Sequence, residues 1–238
     1  MARVFLHIGA HKTGTTYLQN LFHLNRDLLE QVGIHYPHIG PDAGQHALSG
    51  SWIDLPEIYG RDEADGLWQE LTDRYAKAEG TLFLSTETLS RSHPQEVDMV
   101  ELAQRLSGFD EVRVIYTMRA QPELVQSVWL QLAKSGRVLA VHSYVRNAIE
   151  QRLVTGVRID HGSVYTALLR GFTAQQIHLM DYQQISQAPG GIGQAFLDFL
   201  GADLRVDALT TPPREDANIS PKPLEYWVAS QIAGEMRP

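Results

Sequence analysis

The stretch VFLHIGAHKTGTT, residues 4–16, constrains this chain more than any other. A short run of strand formers at residues 4–8 leads directly into a loop that carries Gly9 and Gly14. Beyond the loop, apolar residues fall at Tyr17, Leu18, Leu21, Phe22, Leu24, Leu28, Leu29 and Val32, a one-face spacing that predicts a helix from Thr15 to Gly33. Such a turn aims backbone N–H groups into a concavity at the positive end of the helix, where an anion can sit.

The same alternation recurs downstream. TLFLS at 81–85, VRVIYT at 112–117 and IHLMDY at 177–182 read as buried strands. After Pro122, a favoured first-turn proline, Leu124, Val125, Val128, Trp129 and Leu132 share one helical face. Weaker helical patterns cover about 64–78, 94–106, 164–169, 192–200 and 223–232. Strands spaced by helices predict an α/β fold of three layers, P-loop-like, with a central mostly parallel sheet flanked by helices. Residues 33–56, rich in Gly, Pro and His, and residues 209–222, with three prolines, fit no element and read as binding loops or lids. No Pro/Gly/Ser-rich linker divides the 238 residues, so a single domain over 1–238 is expected.

Composition narrows the classes. A net charge of -8 argues against a nucleic-acid or anionic-membrane footprint, so an anionic ligand must be held locally. No cysteine is present, which removes disulfides and thiolate metal sites. The close histidine pairs His7/His11 and His35/His38 straddle strand ends or loops rather than one helical face, so no metal site is expected. The first run of strand formers is too short for a signal peptide or a transmembrane segment, which makes a cytoplasmic protein the default expectation. Nothing in the sequence fixes an oligomeric state.

The loop departs from the nucleotide-triphosphate pattern G-x-x-x-x-G-K-[ST] at one position: Thr15 stands where the lysine belongs, and the loop's only lysine is Lys12. From there Lys12 reaches the anion from the other side, without the hydroxyl-held magnesium of a triphosphatase. A sulfuryl group suits one lysine, because it carries one negative charge where a phosphoryl group carries two.

IGAHKTGTTYL resembles the 5′-phosphosulfate loop of sulfotransferases that use 3′-phosphoadenosine 5′-phosphosulfate (PAPS), in which K-[ST]-G-[ST]-[ST] joins a strand to a helix. YTMRAQPELVQSVW is similar to that family's second signature, an arginine at a strand end and a serine eight positions later: Arg119 and Ser127. The resemblance implies that Lys12, Thr13, Gly14, Thr15 and Thr16 hold the 5′ side of the donor, that Arg119 and Ser127 hold its 3′-phosphate, and that 3′-phosphoadenosine 5′-phosphate (PAP) leaves as product with no metal. LMDYQQI resembles the family's Y-E-[DN] strand end, which implies Tyr182 near the adenine, although Gln183 replaces the acidic residue. An R-K-G segment found near the C-terminus of cytosolic members is missing. Arg214, Asn218 and Ser220 resemble a shorter closing segment of other members, which implies Arg214 over the 3′-phosphate.

Transfer to a hydroxyl needs a base and positive charge on the bridging oxygen. Lys12 is the candidate for the charge. For the base, Glu87 follows the strand at 81–85, where cytosolic members carry a histidine, and His46 in the unassigned loop competes, with His35 behind it. The acceptor remains open among carbohydrate hydroxyls, lipid head groups and small alcohols, the Glu87 reading leaning toward carbohydrate. Trp52, Trp68, Trp129, Tyr36 and Tyr59 are candidates to line its pocket. Two other readings stand beside this one: a small-molecule or nucleoside kinase with an atypical loop, in which Glu87 binds magnesium, and a non-catalytic nucleotide-binding module.

Overall fold

The structure, a computed structural model, describes residues 1–60, 63–134, 140–213 and 222–228. In chain order the elements are β1 (Ala2–His7), α1 (Thr15–Leu24), α2 (Arg26–Gln31), β2 (Ile34–His35), α3 (Ala64–Tyr75), β3 (Gly80–Ser85), α4 (Met99–Arg105), β4 (Glu111–Met118) and α5 (Gln121–Lys134). There follow α6 (Val141–Gln151), β5 (Leu153–Val154), β6 (Val157–Arg158), α7 (His161–Leu168), β7 (Ile177–Asp181), α8 (Tyr182–Gln187) and α9 (Gly191–Leu200). The main sheet runs β2-β3-β1-β4-β7 with every pair parallel, and β5 and β6 form a separate antiparallel hairpin.

Alternation along β1 builds the three layers. Val4, Leu6 and Ile8 face a core completed by Trp68 and Leu71 of α3, Leu102 of α4 and Leu168 of α7. Phe5 faces the opposite core, with Leu18 and Phe22 of α1, Leu29 of α2 and Phe196 of α9. A third cluster joins Leu124 and Val128 of α5 to Ala148 of α6 and to the hairpin through Val154 and Val157. The α/β architecture and the four long strands match the sequence reading to within a residue or two at their ends.

Several boundaries differ, each for a local reason. The helix expected over 15–33 is broken at Asn25, whose side-chain amide donates to the Leu21 carbonyl (2.7 Å) and to the Thr210 carbonyl (2.9 Å). That polar side chain competes for the helix's own acceptors and ties the break to the chain near residue 210. The helix expected from residue 94 begins at Met99, because Asp98 caps it by accepting from the N–H groups of Val100 and Glu101. Tyr182, expected to end a strand, opens α8 instead, capped by Asp181. The sequence reading missed α6 and the hairpin, whose strands are two residues each. Of the expected helix at 223–232, the described part at 223–228 is helical.

His7 is the polar exception in the Phe5-side core. It is fully buried, edge-on to Phe196 at 4.7 Å, and shares hydrogen bonds with Ser85 Oγ through Nδ1 (2.9 Å) and Thr117 Oγ1 through Nε2 (3.2 Å). Burial pushes its pKa down from 6.5 to about 4, against the opposing pull of Glu87. Between those values the unfolded chain binds a proton that the folded chain refuses, so His7's contribution to stability is complete above pH 6.5 and is lost as pH falls toward 4. From pH 7.5 to 5 that loss is about 2 kcal/mol, from one and a half pKa units. In urea melts, His7→Asn should be less stable at pH 7.5 but lose less stability on going to pH 5 than the parent; an unchanged pH slope would assign the proton to other groups.

Candidate active site

The loop after β1 is shaped by three residues in the left-handed region: Gly9 (φ +88), Lys12 (φ +64) and Gly14 (φ +75). A side chain at Gly9 would place a Cβ 2.6 Å from Glu87 Cβ, so the glycine lets the loop backbone pass directly against Glu87. Register with β4 continues into the loop, where Ala10 N–H donates to the Thr117 carbonyl at 2.7 Å and Thr117 N–H to the Gly9 carbonyl at 2.5 Å. Thr13 is buried and donates its hydroxyl to the Ala10 carbonyl (2.6 Å), which braces the turn. Gly14 is the N-cap of α1 without a side-chain cap, so the first-turn N–H groups of Thr15 and Thr16 open onto the loop's concavity.

Two distant segments meet here. The Arg119 guanidinium donates through Nη1 to the Lys12 carbonyl oxygen at 2.7 Å, although 107 positions separate the residues. Arg119 lies just past β4, and its carbonyl accepts from His161 Nε2 (2.8 Å), whose Nδ1 meets the Tyr116 hydroxyl (2.9 Å). The guanidinium also lies over the Tyr182 ring at 5.3 Å, and that ring flanks Gly14, whose added Cβ would stand 3.5 Å from Tyr182 Cε2. Ser127 is buried on α5, two turns beyond Arg119. Lys12 Nζ donates to Gln131 Oε1 of the same helix at 3.1 Å. Burial lowers the Lys12 pKa, and the charges of Lys134 and Arg119 lower it further. In a chain of net charge -8, three cations thus converge on one turn, which is the electrostatic signature of an anion site.

The second half of the site is a buried carboxylate. Glu87 starts a 3-10 turn just past β3, with its side chain 13% exposed. Its Oε2 accepts from Gln19 Nε2 of α1 (2.9 Å), and its Oε1 lies 4.0 Å from His11 Nδ1. Burial alone would raise the carboxyl, but His46, His11, a backbone N–H and the Gln19 amide outweigh it and hold the group at about 2. His11, pushed down to about 4 by burial, is neutral at pH 7. Its Nε2 is buried and has no hydrogen-bond partner.

His46 stands beside Glu87. Gln45 pins the incoming loop onto the end of β3, its N–H donating to the Ser85 carbonyl (3.1 Å) while its Oε1 accepts from Ser85 N–H (2.7 Å). His46 Nδ1 then shares a hydrogen bond with Thr86 Oγ1 at 3.0 Å. His46 and Glu87 are therefore both anchored at the same strand end. A cavity of about 350 Å³ opens there, lined by His46, Glu87, Arg91, Tyr59 and the segment 53–56.

The candidate residues thus sort by place. Lys12, Thr13, Gly14, Thr15 and Thr16 form the loop, Arg119 and Tyr182 lie against it, Ser127 is buried on α5 one turn before Gln131, and Glu87 and His46 share the cavity beside the loop. Arg214, Asn218 and Ser220 lie outside the described residues. His35 sits at the far end of the sheet, contacting the Glu79 carbonyl and the Glu30 carboxylate. Of the five aromatics expected near the acceptor, Tyr59 alone lines this cavity; Trp68 and Tyr36 are core, Trp52 donates to Glu101, and Trp129 lines an apolar cleft between α5 and α6. Sequence reasoning passed over Gln19, Gln131, His11 and Arg91. Gln19 carried a signal, a polar residue between Leu18 and Leu21 on the apolar face of α1. Among the described residues no group of three or more His, Asp or Glu side chains is arranged to hold a metal, and no helix is long and apolar enough to cross a membrane.

Comparison with known proteins bears on this geometry. The sequence profile of the sulfotransferase domain matches residues 3–215. No curated protein sequence matches the chain. Among solved structures it is similar to a sulfotransferase from Alicyclobacillus acidocaldarius, at 17% identity and a TM-score of 0.51, over 97% of this chain and 91% of that one. It is also similar to a mouse sulfotransferase complexed with PAP, at 13% identity and a TM-score of 0.50, over 100% of this chain and 66% of that one. At such identities the two structures speak to the fold, and the sequence profile speaks to the family. The chain belongs to the sulfotransferase domain family, whose members are sulfuryl-transferring enzymes.

Proposed function

We propose that the protein transfers the sulfuryl group of PAPS to a hydroxyl of a small-molecule, carbohydrate or lipid acceptor and releases PAP. The observation that carries this reading is the Arg119–Lys12 contact at 2.7 Å, which brings the two motifs together at one sheet edge. A donor with anionic groups at both its 5′ and 3′ ends needs cations at both. The residues fit it: the N–H groups of Thr15 and Thr16 open at the uncapped start of α1, and Lys12 and Arg119 supply half-buried charge. Lys12, Thr13, Gly14, Thr15 and Thr16 would hold the 5′ side, Arg119 and Ser127 the 3′-phosphate, and Tyr182 the adenine, with Arg214 as a further contact. In the reaction the acceptor oxygen forms a bond to sulfur as the bond from sulfur to the bridging oxygen breaks, and the hydroxyl proton passes to the base.

Each residue then has a task. Lys12 meets negative charge that grows on the bridging oxygen, held at the loop's crest by its bond to Gln131. Glu87 is the proposed base, ionised at every working pH and packed against the loop at Gly9. A carboxylate held at about 2 is a weak base toward a free alcohol, but the attacking oxygen turns strongly acidic as its bond to sulfur forms. His46, in the same cavity, is the competing acceptor.

PAP should stabilise the protein without added metal, by roughly 2.7 kcal/mol at a hundred times its dissociation constant. Adenosine 5′-phosphate should do much less, and Arg119→Ala should erase the difference. Stabilisation by ATP–Mg in preference to PAP would return the kinase reading. Binding of PAP with no turnover of any acceptor would return the non-catalytic one.

Lys12→Ala should lose more in single-turnover rate than in PAP affinity, because its interaction strengthens in the transition state. An unchanged rate with weakened donor binding would make it a binding residue only.

Glu87→Gln should cut turnover about a hundredfold or more, whereas His46→Asn should leave most of it. The pH profile separates the two a second way. With Glu87 as base, kcat/KM stays level from pH 8 to 5, since its pKa lies near 2; a fall with loss of one proton-accepting imidazole over that range, abolished by His46→Asn, would reverse the roles.

A further inference from the structure

The cavity at Glu87 holds a cation that the proposed chemistry does not use. Arg91 follows the turn that begins at Glu87 and lines the same cavity. It is half-buried, and burial presses its pKa downward. The hairpin fixes its direction: Arg91 pairs with Val157 as an isolated bridge, and its Nη2 donates to the Thr155 carbonyl at 2.6 Å. Gly156 lets the hairpin turn lie against it, since a Cβ there would stand 3.1 Å from Arg91 Nη2 and 2.3 Å from the His93 carbonyl oxygen.

What the guanidinium lacks, among the described residues, is an anion in contact with it. Among the described residues Arg91 is in no ion pair, while Arg105, Arg113, Arg119, Arg152, Arg158, Arg170 and Arg205 each are. One carbonyl uses one of its five N–H donors, so a half-buried fork is left facing a cavity. The cavity's acidic groups do not satisfy it. Glu87 attracts Arg91 from a distance but makes no ion pair with it, its Oε2 being taken by Gln19 Nε2, and Asp54 has a partner of its own.

We propose that the acceptor carries a carboxylate alongside its hydroxyl, and that Arg91 receives the carboxylate while the hydroxyl faces Glu87. The inference rests on the sulfotransferase reading above and narrows it to hydroxy acids. Opposite charges at two ends of one cavity orient such a molecule, because its anionic end is attracted by Arg91 and repelled by Glu87. A volume of about 350 Å³ takes a single ring and its substituents, and Ile53, Leu55, Pro56, Tyr59 and Pro94 offer that ring apolar walls.

The test uses matched pairs on the full chain saturated with PAP: glucuronate against glucose, and 4-hydroxybenzoate against its methyl ester, with affinities from saturation-transfer NMR. Each carboxylate should bind at least tenfold more tightly than its neutral partner, and Arg91→Gln, which keeps a donor for Thr155, should remove that preference. PAP stabilisation of the variant should match the parent, which shows that it is folded and that the donor site is intact. Carboxylates that bind no better than their neutral partners, or a preference that survives Arg91→Gln, overturn the proposal. Whether glucuronate or 4-hydroxybenzoate gains more distinguishes a sugar acid from an aromatic one. Failure of PAP to bind, with the carboxylate preference intact, would sink the donor reading and leave the Arg91 site standing; PAP binding without the preference would do the reverse.

Discussion

Parallel pairing on both sides of β1 is the constraint from which the rest follows. β1 lies between β3 and β4, and because all three run the same way, their carboxyl ends open onto one edge. His7 stands opposite Ser85 of β3, so the loop that follows His7 emerges beside the turn that begins at Glu87. Hydrogen bonds between Ala10, Gly9 and Thr117 carry the same register past the end of β1, and so hold Arg119 against Lys12. Reversing any one of these strands would send its functional residue to the opposite edge.

Charge is then distributed against the chain's overall sign. The protein is acidic, yet the loop's concavity gathers Lys12, Arg119 and Lys134, and burial sharpens the competition among them. One step away, Glu87 is kept ionised in spite of burial by donors and imidazoles on three sides. Cations on one side of the Gly9 turn and a carboxylate on the other suit the division proposed for group transfer, with anion binding and leaving-group charge on one side and the acceptor proton on the other. Gly9 is what lets the two halves touch, since a Cβ there would strike Glu87.

The cavity at Glu87 is walled by short turns and loops rather than by the main sheet. Gln45 substitutes for a missing strand partner at Ser85, which places His46 beside Thr86, and the β5–β6 hairpin holds Arg91. These are long-range side-chain contacts over a rigid sheet edge, and they decide the size and polarity of the cavity without altering the sheet.

By itself the sequence determined the alternation of strands and helices, the parallel-sheet architecture and the glycine-bearing turn between β1 and α1. Each of these rests on local periodicity or on glycine at a turn, which nearby residues express directly. It also pointed to Lys12 and Arg119 as partners, through two motifs whose spacing is short-range even though their meeting is not. Only the tertiary structure decided that α1 breaks at Asn25, that Gln19 reaches Glu87, that His46 is anchored at the same strand end as Glu87, and that Arg91 faces the same cavity with no ion pair among the described residues. The physical reason is the same in each case. These features depend on hydrogen bonds or unmatched charge between residues 40 to 185 positions apart, or on a short hairpin of two-residue strands, and neither leaves a period in the sequence.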